Sequence, residues 1–169
     1  DFECHRILSE VNLSMHDFAL ALESGKKAFN LNPNDPRVIS VYGEILLRIG
    51  EFEEGIKMLE KAYQLEPIPA GQNSSDRRLS ALFFGYSLIQ DFEKCQSLIG
   101  KIVSLDNRTW LLNVNLHKNL KKDYKSLNWY KKYVTQFSSL DWPVEIDRYH
   151  LNNPKLEKDL IILIENILQ

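Results

Sequence analysis

The sequence predicts an all-helical fold built from repeated pairs of helices, and three observations lead to this prediction. Apolar residues recur every three to four positions along most of the 169 residues, which is the period of an amphipathic helix. The seven glycines and six prolines are few, and they cluster where such helices would begin or end. The stretch 35–67 also repeats features of the stretch before it, with a period of about 34 residues.

The stretch 35–67 is predicted to form two helices joined by a tight turn at Gly50. Its apolar residues follow the helical period from 39 to 49 and again from 52 to 65. Asp35 is expected to cap the first helix, because its carboxylate accepts hydrogen bonds from free backbone N–H groups. Pro67 is expected to end the second helix, since proline cannot continue it.

The residues at fixed places in this stretch resemble the tetratricopeptide repeat family. The matching residues are Tyr42, Gly43, Gly55, Leu59, Ala62 and Pro67, with Ala21, Ala28 and Pro33 one repeat earlier. Small residues are needed where two helices approach closely, and we expect this of Gly43, Gly55 and Ala62. The resemblance implies an all-α, right-handed α-solenoid of about four helix pairs with a C-terminal capping helix.

The sequence divides into one domain, 1–169, with repeats at about 2–35, 36–69, 76–106 and 107–138, and a closing helix at 153–168. An aromatic residue marks each predicted turn within a pair: Phe18, Phe52, Phe92 and Tyr124. Residues 68–75, IPAGQNSS, are predicted to be a loop inserted between repeats. The segment 138–153 is predicted to be irregular, with Trp142 and Pro143 extended.

Composition excludes several classes of function. The net charge of −2 gives no overall field toward nucleic acid or membrane. The longest apolar run, 160–164, is far shorter than the ~20 residues of a membrane-spanning helix. Cys4 and Cys95 lack metal-site spacing, so we expect two reduced and mostly buried thiols in a cytoplasmic protein. Because a repeat begins at once without an initiator methionine, we expect the chain to be part of a longer protein.

The overall arrangement resembles the C-terminal tetratricopeptide region of bacterial class III adenylate or guanylate cyclases. The stretches DFECHRILSEV, FNLNPNDPRVIS and GEILLRIGEFEEGIKMLEKAYQLEP carry the likeness, with WPVEIDRYHLNNPKLEKDLIILIENI at the end. The resemblance implies a regulatory or assembly module of a larger signalling protein. Bacterial winged-helix transcription regulators carry similar arrays, and an effector-sensing region of that kind is an alternative. The chain has no glycine-rich phosphate loop or sheet-borne carboxylate pair, so we expect no catalysis, cofactor or metal.

The repeat register predicts a partner-binding groove on the inner face of the first helix of each pair. Its predicted residues are Arg6, Glu10, Arg37, Glu44, Arg48, Arg77 and Phe84, together with Glu3, Ser40 and Ser80. Such a surface suits an extended peptide or a partner helix. A solvated face without a ligand is the alternative, because a fold does not set a function. Glu10 and Glu44 replace the asparagines of the family's chaperone-binding clamp, which excludes that ligand.

Two other features have simpler interpretations. The lysines 118, 121, 122, 125 and 132 alternate with Tyr124, Trp129 and Tyr133, which is a pattern of nucleic-acid binding or of a solvated helix face. The acidic overall balance favours the solvated face, and no nucleic acid is expected as a partner. The four histidines lack metal-ligand spacing. Self-association through the closing helix or the 68–75 loop is a further alternative, and would make the protein a homo-oligomer.

Overall fold

The computed structural model describes residues 1–168, and every regular element in that range is an α-helix. This confirms the predicted all-α class. The ten helices of this range are α1 Phe2–Ser14, α2 Phe18–Leu31, α3 Pro36–Arg48, α4 Phe52–Leu65, α5 Asp76–Leu88, α6 Phe92–Ile99, α7 Asn107–Asn119, α8 Asn128–Phe137, α9 Trp142–Tyr149 and α10 Pro154–Leu168. None of these helices is long and apolar enough to cross a membrane.

Aspartate caps fix where most of the helices begin. The Asp35 carboxylate accepts hydrogen bonds from the backbone N–H groups of Arg37 and Val38, which confirms the predicted cap. Equivalent caps at the starts of other helices are formed by Asp1, Asp17, Asp91, Asp106 and Asp141. Each cap satisfies a backbone donor that has no partner within its helix.

The helices pack in a repeat-like manner. Helix α1 packs against α2 and α3 against α4, while α2 contacts α3 and α4 contacts α5. The first helices of neighbouring pairs also contact one another, α1 with α3, α3 with α5 and α5 with α7. Glu3 and Arg37, which are 34 residues apart, form an ion pair of 3.2 Å across the first of these contacts. Equivalent positions of successive units therefore lie side by side.

The crossing of α3 and α4 depends on two glycines. A Cβ atom on Gly43 would lie 3.0 Å from the carbonyl oxygen of Gly55 and 3.0 Å from Cγ of Leu59. A Cβ atom on Gly55 would lie 2.9 Å from the carbonyl oxygen of Gly43. The two backbones are thus in direct contact, as the sequence predicted, and Ala62 is fully buried in the same helix.

The predicted irregular segment contains a helix, so that prediction was wrong. Trp142 and Pro143 stand in the first turn of α9, and Asp141 caps it. Proline is tolerated in this turn because its missing N–H would have no helical partner there. The Trp142 side chain is buried against Trp110 of α7, with ring centroids 5.5 Å apart. A tryptophan–proline pair that suggests a break therefore marks the start of a helix.

The third pair is shorter than predicted. Phe18, Phe52 and Phe92 each begin the second helix of a pair, but α6 ends at Ile99. Ile102 and Leu105 are buried in the irregular stretch after it. The Asp76 carboxylate holds this stretch by accepting hydrogen bonds of 2.9 Å from two of its backbone N–H groups, those of residues 103 and 104.

The fourth pair leaves the register altogether. Tyr124 precedes α8, which begins only at Asn128, so the predicted turn aromatic does not start a helix there. The phase of the turn aromatics therefore holds for three pairs and fails at the fourth.

The buried side chains form one large cluster from Leu47 in α3 to Ile164 in α10, and a small one around Ala21, Val41 and Ile45. Cys95 belongs to the large cluster, and burial raises the pKa of its thiol to about 11. Cys4 is exposed, so the prediction of burial was wrong for this residue. Helix α10, predicted as the closing helix, buries one face against α7 and α9.

Replacing Gly43 with alanine is expected to destabilise the fold by about 1–3 kcal/mol, since the added methyl overpacks the α3–α4 crossing. Gly100→Ala is the matched control, because a Cβ atom there meets no atom within 4 Å. Urea unfolding followed by circular dichroism measures both variants. Equal free energies of unfolding for the two variants would contradict the close crossing.

Candidate functional site

The first helices α1, α3 and α5 line two adjoining clefts, with volumes of about 420 Å³ and 280 Å³. Glu10, Val41 and Arg77 line both clefts, so the two form one continuous groove. Of the seven predicted site residues, six line this groove: Arg6, Glu10, Arg37, Glu44, Arg48 and Arg77. The helix packing therefore brings together residues that are far apart in the sequence, such as Arg6 and Arg77.

The loop 68–75 forms one wall of the groove. Pro69, Ala70 and Gln72 line the smaller cleft beside Arg37 and Arg77. Arg78, the first buried residue of α5, ties this wall to the core by an ion pair of 2.7 Å with Glu66. The insertion that interrupts the repeat period thus lies next to the predicted groove residues, on the same face.

Ion pairs that cross from one helix to the next arrange the groove charges. Glu3 contacts Arg6 at 2.7 Å and Arg37 of α3 at 3.2 Å. Glu10 contacts Arg6 at 3.0 Å and Arg77 of α5 at 3.2 Å. The hydrogen bond from Arg6 is the main cause that lowers the pKa of Glu3. Because the side chains of Arg37 and Arg77 are 42% and 56% exposed, both keep donors that face solvent.

The groove is closed at one end by the chain itself. Arg48 donates hydrogen bonds to the backbone carbonyl oxygens of Arg148, at 3.3 Å, and of Tyr149. The guanidinium groups of Arg48 and Arg108 lie 4.9 Å and 4.1 Å from the centre of the Phe84 ring, a cation–π arrangement. Phe84 is only 1% exposed.

The surroundings of Arg48 set its charge state. Burial, together with the nearby Arg108, lowers the pKa of Arg48 to about 9, so the side chain is charged at neutral pH. Arg48 and Phe84 are therefore engaged in contacts within the chain. The other five predicted groove residues lie in the part that is open.

Residues 150–153, which we call the connector, join α9 to α10 and cross the turns of three helix pairs, with Asn152 lying against Gly50 of the second pair. The His150 ring lies 4.1 Å from the Phe18 ring and 5.6 Å from the His16 ring, measured between centroids. Asn153 donates a hydrogen bond of 3.1 Å to the carbonyl oxygen of Leu88 at the end of α5. These contacts attach the C-terminal part of the chain to the groove end where Arg48 lies.

Sequence reasoning missed the connector, although a signal for it is present. His150 and Asn152 both adopt left-handed backbone angles, with φ of 47° and 48°. Asparagine tolerates this region better than most residues, so the sequence His-Leu-Asn-Asn-Pro indicates a tight connection. Nothing in the sequence indicates which turns the connector would touch.

The lysine-rich segment has its aromatic residues directed inward. Trp129 packs beside His117 at 5.2 Å, and Tyr133 stacks on Phe137 at 5.5 Å. The lysines at 118, 121, 122, 125 and 132 are exposed. These aromatic rings therefore fill space between helices rather than forming a row of exposed stacking surfaces. In residues 1–168 no three His, Cys, Asp or Glu side chains are grouped so as to hold a metal ion.

The chain matches no protein-family model, and no curated protein sequence matches it. The groove brings six of the seven predicted site residues together beside the loop 68–75.

Acidification is expected to weaken the connector through His150. Burial, followed by the charges of His16 and Arg48, lowers its pKa, while Asp147 and Glu157 act in the opposite direction. A lowered pKa means that the folded state favours the neutral ring. The contribution to stability is therefore complete above the ordinary pKa of 6.5 and is lost as pH falls below it.

The expected result is a melting temperature that falls by about 2 °C or more between about pH 7.5 and pH 5.5. His150→Asn is the matched variant, since asparagine accepts the left-handed backbone but does not titrate. The melting temperature of this variant should fall less than that of the wild type over the same pH interval. Equal losses in calorimetric scans of both proteins would contradict this role of His150.

Proposed function

We propose that this chain is a non-catalytic protein–protein interaction module that binds an acidic segment of a partner in the groove between α1, α3 and α5. The observation that carries the proposal is the charge of the groove lining. Among the described residues, two glutamates, Glu10 and Glu44, line it, against six arginines: Arg6, Arg37, Arg48, Arg77, Arg78 and Arg148. Arginine holds carboxylates through two parallel hydrogen bonds, which gives both attraction and orientation.

The architecture proposed for the module is a right-handed α-solenoid of tetratricopeptide type. Its support is the repeat-like packing of successive helix pairs, the glycine contact between Gly43 and Gly55, and the ion pair between Glu3 and Arg37 one period apart. In solenoids of this kind the first helices form an extended inner face, and extended peptides or helices bind along it.

Arg37 and Arg77 are the residues from which we expect most of the binding. They occupy equivalent positions in two successive pairs, and both side chains are partly exposed. Arg77 pairs with Glu10, which is also partly exposed, so this ion pair contributes little to stability. Arg37 pairs with the partly exposed Glu3 and, at 2.8 Å, with Asp35, whose side chain is 11% exposed. Each guanidinium has five N–H donors, and Arg37 uses three of them on Asp35 and Glu3, so a carboxylate from a partner can accept from the donors that remain.

The proposed setting is a cytoplasmic regulatory or assembly region of a larger bacterial signalling protein, in particular a class III nucleotide cyclase. The support for this setting is the resemblance of residues 1–67 and of the closing stretch to the C-terminal regions of those proteins. Partner binding would then be transmitted through the rigid packing of the helix pairs to the attached domain. A winged-helix regulator is the competing parent, and the sequence of the full-length protein distinguishes the two.

The test is selection of binding peptides from a phage-displayed random library, followed by affinity measurements with groove variants. We expect the selected peptides to be rich in Asp and Glu, and their affinity to fall with added salt. Arg37→Glu combined with Arg77→Glu should weaken binding by about tenfold or more, because both residues would then repel the acidic peptide that they attract in the wild type. Arg48 is left unchanged, since its guanidinium binds the backbone carbonyl oxygens of Arg148 and Tyr149 and its replacement would disturb the fold.

The matched control is Lys118→Glu combined with Lys122→Glu, which makes the same charge change at exposed positions outside the groove. It should leave peptide affinity within about twofold of the wild type, because neither lysine lines the groove and both are exposed to screening by salt. Selection of neutral peptides that bind both double variants equally would refute the groove as the site. Circular dichroism of each variant confirms that the helices are retained.

A further inference from the structure

The outer face of α1 carries an exposed apolar surface. Ile7, Leu8, Val11 and Met15 are 49%, 48%, 46% and 72% exposed, and they follow one another at helical spacing. Cys4, one turn earlier, is exposed as well. A contiguous apolar patch of this kind on a helix commonly marks a surface that another element covers.

The repeat register shows what covers this face in the other pairs. The positions that correspond to Ile7 and Val11 are Val41 and Ile45 in α3, which are 5% and 0% exposed. In α5 the corresponding residues are Ala81, which is 2% exposed, and Gly85, which is buried. At these two positions the face is therefore buried in α3 and in α5 and open in α1. At the far end of the face, the counterparts of Met15 are Ile49, which is partly buried, and Ile89, which is 43% exposed.

In both buried cases the covering element is the second helix of the preceding pair. A Cβ atom on Gly25 of α2 would lie 2.9 Å from Cδ1 of Ile45 and 3.4 Å from Cδ2 of Tyr42. Phe29 of α2 stacks on Tyr42, with ring centroids 5.2 Å apart. Between α4 and α5, a Cβ atom on Gly85 would lie 2.8 Å from Cγ1 of Ile56.

The N-terminal cap of α1 matches the cap of α3. Asp1 caps α1 by accepting a hydrogen bond of 3.1 Å from the N–H of Glu3. Asp35 caps α3 in the same way, accepting from the N–H of Arg37 at 2.9 Å. Residues 32–35 make the short connection from α2 into this cap. The cap that follows the α2–α3 connection is thus repeated at the start of α1.

We infer that the outer face of α1 is the docking site of an amphipathic helix of the α2 type, joined to α1 as α2 is joined to α3. The docked helix places a small residue against Val11, as Gly25 lies against Ile45, and an aromatic residue against Leu8, as Phe29 lies against Tyr42. The inference continues the α2–α3 and α4–α5 interfaces by one step. It does not depend on the groove or its ligand.

The test is a fusion that places a second copy of residues 17–34 directly before Asp1 of the full chain. The readout is the rate at which iodoacetamide alkylates Cys4, whose counterpart in α3, Val38, is 1% exposed. Cys95 is buried and serves as the unreactive internal reference. Docking is expected to slow the reaction of Cys4 by about tenfold, since only the undocked fraction reacts.

Two variants of the fusion locate the contact. Leu8→Glu combined with Val11→Glu should restore the fast reaction, because a charged face cannot bury the added helix. Val103→Glu is the matched control at an apolar residue that is 81% exposed, and it should leave Cys4 protected. Circular dichroism should show the added helix as extra signal in the fusion and in the control.

Three results would overturn the inference. One is a fusion whose Cys4 reacts as fast as in the original chain. Another is protection that persists in the Leu8 and Val11 variant. The third is protection of Cys4 in the original chain that increases with protein concentration. This result would identify a second copy of the chain as the element that covers the outer face of α1. Peptide binding to the groove is measured separately, so either proposal can fail without the other.

Discussion

The contact between the backbones of α3 and α4 at Gly43 and Gly55 is the constraint on which the rest of the structure depends. Because no side chain separates the two backbones here, α3 and α4 cross at short distance. This crossing sets which side chains of the pair face the neighbouring pairs. Pairs of similar shape then stack, and the first helices line up beside one another. The alignment places Glu3 next to Arg37 and produces the groove. The helix packing and the repeat period thus determine which charged side chains come together in the groove.

The C-terminal part of the chain limits how much of that groove is open. Arg48 binds two backbone carbonyl oxygens near the end of α9 and lies over Phe84, so this end resembles a groove already holding a segment of polypeptide. The open part lies between Arg6, Arg37 and Arg77, next to the loop 68–75. A ligand therefore meets arginines with free donors at one end and a closed wall at the other. The connector, attached through His150 and Asn153, holds that wall in place.

Much of this arrangement follows from local sequence signals. Asp35, Gly43, Gly55 and Phe52 each act over a few residues, so capping, close packing and turn position were predictable, as were most of the residues facing the groove. The helix at Trp142 was missed because a proline that ends one helix also suits the first turn of another. The contacts of Arg48 were not predictable, since they are made with backbone carbonyl groups 100 and 101 positions further along the chain. Cys4 is exposed because no helix within the described residues covers it. Its apolar sequence neighbours predicted burial, and they do not show whether a covering helix is present.

Binding in the groove is tested most directly by titrating the chain with a glutamate-rich peptide and following the NMR signals of the arginine Nε–H groups. Arg37 and Arg77 have exposed guanidinium groups, whereas the Nε atom of Arg48 is buried. If an acidic segment binds in the groove, the Arg37 and Arg77 signals shift and reach saturation together, and the Arg48 signal stays in place. Shifts confined to the exposed lysines near residue 118, or no saturable shift at Arg37 and Arg77, would contradict a binding groove between the first helices.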